Sequence, residues 1–217
     1  MKVSKGEIFE RLFVNEPELN LHIEQEAGSQ VKLYVINFEI SGYRNTEISN
    51  KISVEQLGEG CTTEIYALAY LRGEESVTAE THVTHAVGGG TSNQLIKFVL
   101  DDNARGRFIG DLKIAPDAQQ TEAHQTNRNL LLSETAEMRT QPQLEIYADD
   151  VQATHGASTG QLDESALFYM QQRGIDKQKA RQLLVGAFMK EVLDKIPHAL
   201  IPNSLIPLLN AVDGVVE

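Results

Sequence analysis

The sequence has few cysteines and few aromatic residues, and both shortages exclude classes of protein. Cys61 is the one cysteine in 217 residues. The chain therefore forms no internal disulfide and cannot by itself supply an all-thiolate metal or cluster site. We predict that Cys61 is a buried or edge thiol of a strand. Tryptophan is absent and aromatic residues make up 6% of the chain, which disfavours a sugar site that stacks its ligand on rings.

Basic residues are also scarce. Lys and Arg number 19 against 31 Asp and Glu, so the formal net charge is −12. A nucleic-acid binder needs clustered Lys and Arg for phosphate contacts, and no dense basic stripe is present. The same balance disfavours binding to anionic membranes. We expect neither nucleic acid nor membrane as a partner.

Long hydrophobic runs are absent too. The longest strongly apolar uncharged stretch, 199–212, contains Pro202 and Pro207 and is too short to span a bilayer. The first 12 residues carry scattered charges and no secretory signal pattern. We therefore expect a cytoplasmic protein without a transmembrane helix.

Short β-branched runs separated by Gly, Asp, Asn and Pro dominate the chain from 31 to 148, a pattern typical of strands. Two architectures fit: a sandwich of antiparallel sheets, or a solenoid whose coils stack as rungs of parallel sheets. Short turn elements recurring at 26–28, 57–60 and 115–118 weakly favour the solenoid, although strict repeats are absent. The predicted strands lie at 31–40, 64–71, 82–87, 95–100, 108–114, 129–132 and 144–147.

The spacing of apolar residues becomes typical of helices after Gly160. Asp163 is a suitable N-cap for a helix over 164–173, which Gly174 would end. Asp176 would cap a second, amphipathic helix that Pro197 stops, and 202–211 could form a third. The apolar stripe predicted for the second helix comprises Ala180, Leu183, Leu184, Ala187, Phe188, Val192 and Ile196, together with Glu191.

The histidines are the main candidates for chemistry, because P-loop, nucleophile-elbow and His-Glu-x-x-His patterns are all absent. His82 and His85 would point to opposite faces of one strand and could not share a metal. His124 lies in a polar run that predicts hydrogen-bond ladders between rungs. His155 differs, because it lies among small residues after Asp149 and Asp150, where the strand-forming part of the chain ends.

Several ordered segments resemble the SufB/SufD family of iron-sulfur cluster assembly scaffolds, closely over 61–196 and loosely over 31–60. The resemblance is stronger to SufD than to SufB. Ala136 stands where SufB carries its cluster-building cysteine. Ala153 stands where the SufD pattern often has a cysteine, and the histidine that follows it in that pattern is present as His155. The segments are GTS at 90–92, VLDDNAR at 99–105, APDAQ at 115–119, HQTNRNLLLS at 124–133, LEIYADD at 144–150, HGA at 155–157, GQLDE at 160–164, LFY at 167–169 and RGI at 173–175.

This resemblance implies a mainly β fold: a right-handed parallel β-helix over 1–160, followed by a small α-helical subdomain over 161–217. It implies a non-enzymatic scaffold that pairs with a SufB-like paralogue and docks a SufC-type ATPase, which hydrolyses the ATP. His155 would then be a ligand for iron or a transient iron-sulfur cluster at the partner interface, with no tightly bound cofactor. Family members have a further amino-terminal region, so the chain would be truncated or an abbreviated member.

Partner contacts follow from the same resemblance and from the second helix. An amphipathic helix with a spare apolar stripe suits binding in a groove of another protein. The residues predicted to contact the ATPase are Leu183, Leu184, Ala187 and Phe188. In isolation, the surface meant for the paralogue would be free to form a homodimer.

Two other hypotheses remain open at this stage. His155 with Asp149 or Asp150 could form an acid-base site of a β-solenoid enzyme acting on an acidic or sugar substrate. Alternatively, the chain could be a structural module that dimerises through its sheet edges, with His155 in its core.

Overall fold

The structure, a computed structural model, describes residues 1–38 and 47–213. Its strands are all parallel and form two six-stranded sheets. The odd sheet has the order β1-β3-β5-β7-β9-β11 and the even sheet the order β12-β10-β8-β6-β4-β2. The strands are β1 Lys2–Val3, β2 Ile8–Val14, β3 Glu18–Gln25, β4 Gln30–Phe38, β5 Glu47–Gln56, β6 Thr62–Leu71, β7 Ser76–His85, β8 Thr91–Leu100, β9 Arg105–Ile114, β10 Thr121–Leu131, β11 Glu137–Ile146 and β12 Val151–Gln161.

Successive strands alternate between the two sheets, so each pair of strands is one rung of a β-solenoid of about five turns. The predicted mainly β fold with a parallel solenoid is confirmed, and the sandwich is excluded. Residues in register along the even sheet include Val31, Thr63, Ser92, Ala123 and Ala153. They lie 29 to 32 residues apart. This uneven spacing explains why no strict repeat is visible in the sequence.

The strands extend beyond the predicted β segment at both ends. Strands β1 to β3 precede the expected start at residue 31, and β12 follows the expected end at 148. Strand β5 was not predicted, and most of the predicted runs are the more apolar parts of longer strands. The last two residues of the run 31–40 lie outside the described residues.

The solenoid interior is filled by the inward side chains of both sheets, which alternate with outward ones as a strand requires. Two apolar clusters form this interior, one around Ile23, Val54 and Leu112 and the other around Phe98 and Phe108. Buried apolar surface of this kind contributes roughly 25 cal/mol per Å² to folding. The interior is therefore the main source of stability.

The helical part follows the last strand. It contains α1 Glu164–Gln172, α2 Lys177–Leu193, two 3₁₀ turns at His198–Leu200 and Asn203–Leu205, and α3 Ile206–Asp213. Asp163 and Asp176 cap α1 and α2 as predicted, since each carboxylate accepts two backbone N–H bonds. Gly174 has φ 84° just after α1, a conformation that glycine adopts without strain.

A third apolar cluster joins this helical part to the outer face of the even sheet. Side chains of α2 and α3, with Val185, Met189 and Val192 at the centre, pack on outward residues of the sheet such as Leu95 and Val99. The even sheet is therefore covered on both faces around Leu95 and Val99. Among the described residues, no helix combines the length and the apolar character required to cross a bilayer.

Candidate functional site

The solenoid ends at its carboxyl-terminal rung, made of β11 and β12. Each strand is the edge of its sheet, paired along one side only among the described strands. Nothing in the described chain stacks on this rung, so side chains that would be buried further down are exposed here. The rung is therefore an open end of the solenoid, with inward-facing side chains accessible from one side.

His155 lies in the middle of β12 on this open rung. Val151 and Ala153 pack on the interior cluster, and strand alternation places His155 on the same inward face. Its register neighbour on β10 is Gln125, which is 1% exposed, whereas His155 is exposed. His155 is thus an interior position at the point where the stack stops, and its imidazole is accessible because no further rung covers it.

The two aspartates proposed as acid-base partners are not brought to His155. Asp149 and Asp150 belong to the exposed turn before β12, where the Asp150 backbone N–H donates to Gln119 at 2.8 Å. An extended strand rises about 3.3 Å per residue, which puts the Cα atom of His155 roughly 16 Å from that of Asp150. No described hydrogen bond or ion pair joins them, so the arrangement does not support the acid-base enzyme hypothesis.

Residues around His155 do not form a complete metal site. Within ranges 1–38 and 47–213, no group of three or more His, Cys, Asp and Glu residues could hold a metal ion. Cys61 is buried far from this rung, and its thiol donates to the carbonyls of Glu26 and Gly58. Ala136, which the resemblance aligns with the SufB cysteine, is also buried.

The histidines of β7 and β10 have structural environments. His82 is partly exposed and His85 is 0% exposed, so the predicted opposite orientations are confirmed. Burial lowers the pKa of His85 to about 4, and its Nε2 lies 2.8 Å from the Ser92 hydroxyl. His124 bonds Thr154 and Glu122 on the outer face of the even sheet.

The polar run around His124 forms the ladders that the sequence predicted. The Asn127 amide donates to the Ile96 carbonyl on β8, and the Asn129 amide donates to the Ser158 carbonyl on β12. Each bond links neighbouring rungs inside the solenoid. These amides therefore stabilise the rungs on either side of β10.

The predicted stripe of α2 coincides only in part with the face that packs on the solenoid, since Phe188, Val192 and Ile196 belong to that face. The buried residues of α2 include Val185, Gly186 and Met189, which the stripe omitted. Leu183 and Leu184 are half-buried and Ala187 is exposed. Of the predicted contacts, Phe188 packs against the solenoid, while the other three lie on the less covered part of the helix.

A buried lysine that the sequence did not single out fixes α2 on the even sheet. Lys97 of β8 is 2% exposed, and its Nζ donates to the Phe188 carbonyl at 2.8 Å and to the Glu191 carboxylate. The Arg128 guanidinium, next to Lys97 in register, also pairs with Glu191 at 3.2 Å. Lys97 and Arg128 hold the pKa of Glu191 below its usual range. The periodicity alone gives no indication of this contact.

Fold and site together define a parallel β-solenoid protein with a histidine on an open terminal rung and a helical part on its flank. The family described as SUF system FeS cluster assembly, SufBD core domain, matches residues 18–188. The chain belongs to this SufBD core-domain family of iron-sulfur cluster assembly proteins.

Individual relatives agree with this assignment. The iron-sulfur cluster assembly protein SufD of Escherichia coli is 38% identical over 69% of the chain and 35% of its own length. An iron-sulfur cluster assembly SufBD family protein of Synechocystis is 34% identical over 91% of the chain and 46% of its own length. SufD of Bacillus subtilis is 32% identical over 70% of the chain and 35% of its own length. The chain thus spans less than half the length of each of these relatives.

Proposed function

We propose that this chain is a SufD-like, non-catalytic scaffold subunit of a cytoplasmic iron-sulfur cluster assembly complex. The observation that carries the proposal is the open rung with His155 on its inward face, in a chain of the SufBD family. Edge strands such as β11 and β12 are ready to pair with another chain. A SufB-like paralogue is the partner that the family relationship favours.

In this proposal the iron or the nascent cluster is cargo at the paired rungs. His155 supplies one imidazole nitrogen, a suitable ligand for iron. Further ligands come from the paralogue, because the described part of this chain offers no cluster of ligands around His155. Ala136 provides no thiolate, so in this proposal the cluster-building cysteine belongs to the paralogue.

The experiment compares iron recovery in the reconstituted complex of this chain, the SufB-like paralogue and the SufC-type ATPase. His155→Ala should reduce the iron recovered while the complex stays intact by size-exclusion chromatography with light scattering. His124→Ala is the matched control, since His124 is partly exposed and lies on the outer face of the even sheet. Equal iron recovery by both variants would contradict a ligand role for His155 and favour the purely structural module.

The helical part is the proposed docking site of the ATPase. It carries exposed Phe168 and Tyr169 on α1 and exposed Ala187 on α2, and Leu183 and Leu184 of α2 are half-buried. Aromatic and aliphatic side chains of this kind dominate the energy of protein interfaces. This surface is the one available for a partner while α2 stays packed on the solenoid.

Docking is tested by mixing the chain with its SufC-type ATPase and measuring the mass of the complex. Leu184→Asp should abolish binding, but Leu184 is half-buried and the variant could unfold the helices. Ala187→Asp avoids this difficulty, because Ala187 is exposed. Gln182→Asp adds the same charge about 140° around the helix and should bind normally. Full binding by folded Ala187→Asp would exclude this surface.

The isolated chain is proposed to homodimerise through the same open rung. Light scattering of the chain alone should then give the mass of a dimer, and addition of the paralogue should replace it with a heterodimer. A dimer that persists unchanged beside the paralogue would place self-association on another surface.

A further inference from the structure

A groove rich in arginine lies on the outer face of the odd sheet, where β7, β9 and β11 begin. Its volume is about 600 Å³. Arg105 and Arg107 of β9 and Arg139 of β11 line it, beside the hydroxyl side chains of Ser76 and Thr78 on β7. We call this feature the arginine groove. It lies on a different surface from the His155 side chain and from the helical part.

The charge of the arginine groove contrasts with that of the whole chain. Three guanidinium groups meet there in a protein of net charge −12. Glu47 and Glu137 also line the groove, but only Glu137 pairs with an arginine, Arg139, at 3.8 Å. Among the residues that the structure describes, neither Arg105 nor Arg107 has an ion-pair partner. Arg105 lies opposite Glu137 in the register, so Arg107 is the arginine whose charge is least offset by its neighbours.

The strand register places two like charges side by side in the arginine groove. Like charges also face each other on this surface at Glu24 and Glu55, whereas Lys51 faces Glu80 and Lys113 faces Glu145 as pairs of opposite charge. By contrast, Arg107 faces Arg139 directly. Like charges in directly opposite positions of neighbouring strands destabilise a sheet. A bound anion between these guanidinium groups would remove that repulsion.

We propose that the arginine groove binds a small phosphate-bearing anion. Guanidinium groups donate paired N–H bonds to phosphate oxygens, and a phosphate offers enough oxygens and charge to engage several of them together. The Ser76 and Thr78 hydroxyls can donate further hydrogen bonds from β7. A monocarboxylate, with two oxygens and one charge, would engage fewer of these donors.

The first test is titration of the chain with inorganic phosphate, pyrophosphate and glycerol 3-phosphate, by calorimetry or ³¹P NMR. Arg107→Gln/Arg139→Gln should weaken the tightest of these interactions at least tenfold. Arg173→Gln is the matched control, because Arg173 is an exposed arginine on the helical part. Tighter binding of glycerol 3-phosphate than of inorganic phosphate would identify a phosphate ester as the ligand, and the reverse order would identify free phosphate.

Three results would overturn the proposal. They are absence of phosphate binding by the wild-type chain, equal binding by the double variant, and equal or tighter binding of acetate or a short glutamate peptide. Thermal unfolding gives an independent readout, since phosphate should raise the melting temperature of the wild-type chain and leave that of the double variant unchanged. The scaffold function is tested separately, because the double variant should still form the complex with the paralogue and the ATPase.

Discussion

The middle rungs and the last rung of the solenoid use the same inward and outward alternation in different surroundings. Leu112 on β9 is 0% exposed, while Leu144, its register neighbour on β11, is only partly buried. Gln125 and His155 form a similar pair on the even sheet. The exposure of an inward side chain thus depends on whether a further rung covers it, and local sequence does not determine it.

The largest expected contrast is between Leu112→Ala and Leu144→Ala, the same substitution at facing positions. Leu112→Ala should lower the free energy of unfolding by about 2–5 kcal/mol, because it removes packed methyl groups and leaves a cavity. Leu144→Ala should cost less than about 1.5 kcal/mol, since its site is partly open to solvent. Urea denaturation of both variants measures the difference, and equal losses would contradict the comparison.

The buried histidine of a middle rung should make stability depend on pH. His85 takes up a proton near pH 4 in the folded chain but near pH 6.5 when unfolded. Its contribution is therefore fully present above pH 6.5 and decreases as the pH falls towards 4, by up to about 1.4 kcal/mol per pH unit. The stability of His85→Gln should vary less with pH in this window. An unchanged pH profile would show that other groups control acid unfolding.

The contact between the solenoid and α2 should respond to acid in another range. Because the pKa of Glu191 is lowered in the folded chain, its contribution is present above its ordinary pKa of 4.5 and is lost as the pH falls through the lowered value. Glu191→Gln should therefore destabilise the chain at pH 7, where Lys97 loses its carboxylate partner. The deficit should shrink below pH 4 in urea titrations. A deficit independent of pH would point to lost packing.

The smallest effect is expected on the last rung. His155→Ala should change the free energy of unfolding by less than about 0.5 kcal/mol, since exposed substitutions away from caps and cores have small effects. A loss comparable to that of Leu112→Ala would mean that His155 is covered in solution, for example by a second copy of the chain.

Much of the fold could be predicted from local patterns. The β-branched runs located the middle strands, and Asp163, Gly174 and Asp176 located the helix ends. The prediction of a solenoid came from the resemblance to the SufB/SufD family, because the recurring turn elements favoured it only weakly. His155 was predicted to be accessible because its neighbours are small, and it is exposed, but the physical reason is its place on the last rung.

The missed elements have physical reasons. The run predicted at 144–147 overlaps only the end of β11. The earlier part of the strand contains Pro142 and many polar residues, a composition tolerated because β11 is an edge strand with one paired side. β12 lacks apolar alternation because no further rung covers it, so most of its inward side chains are exposed. The packed face of α2 was predicted only in part. Apolar side chains surround much of the helix, so packing decides which of them are buried. These side chains are Leu183, Leu184, Val185, Phe188 and Met189.

Tertiary contacts explain the remaining omissions. Lys97 looks like an ordinary outward lysine of a strand until α2 covers it. The three arginines of the arginine groove are spread over two strands, so the charge pattern along the chain does not reveal them as a cluster. Both features depend on the register of neighbouring rungs, which the sequence alone does not specify.

The uneven spacing of in-register residues also bears on how such a chain can change its length. The differences of one to three residues between rungs are absorbed at the corners, where the strands of one sheet pass to the other. Extra residues at a corner leave the inward and outward positions of every strand unchanged. One extra residue inside a strand moves each following side chain of that strand to the opposite face of the sheet. Tolerated insertions and deletions should therefore concentrate at corners, and a protein of this kind grows by adding whole rungs.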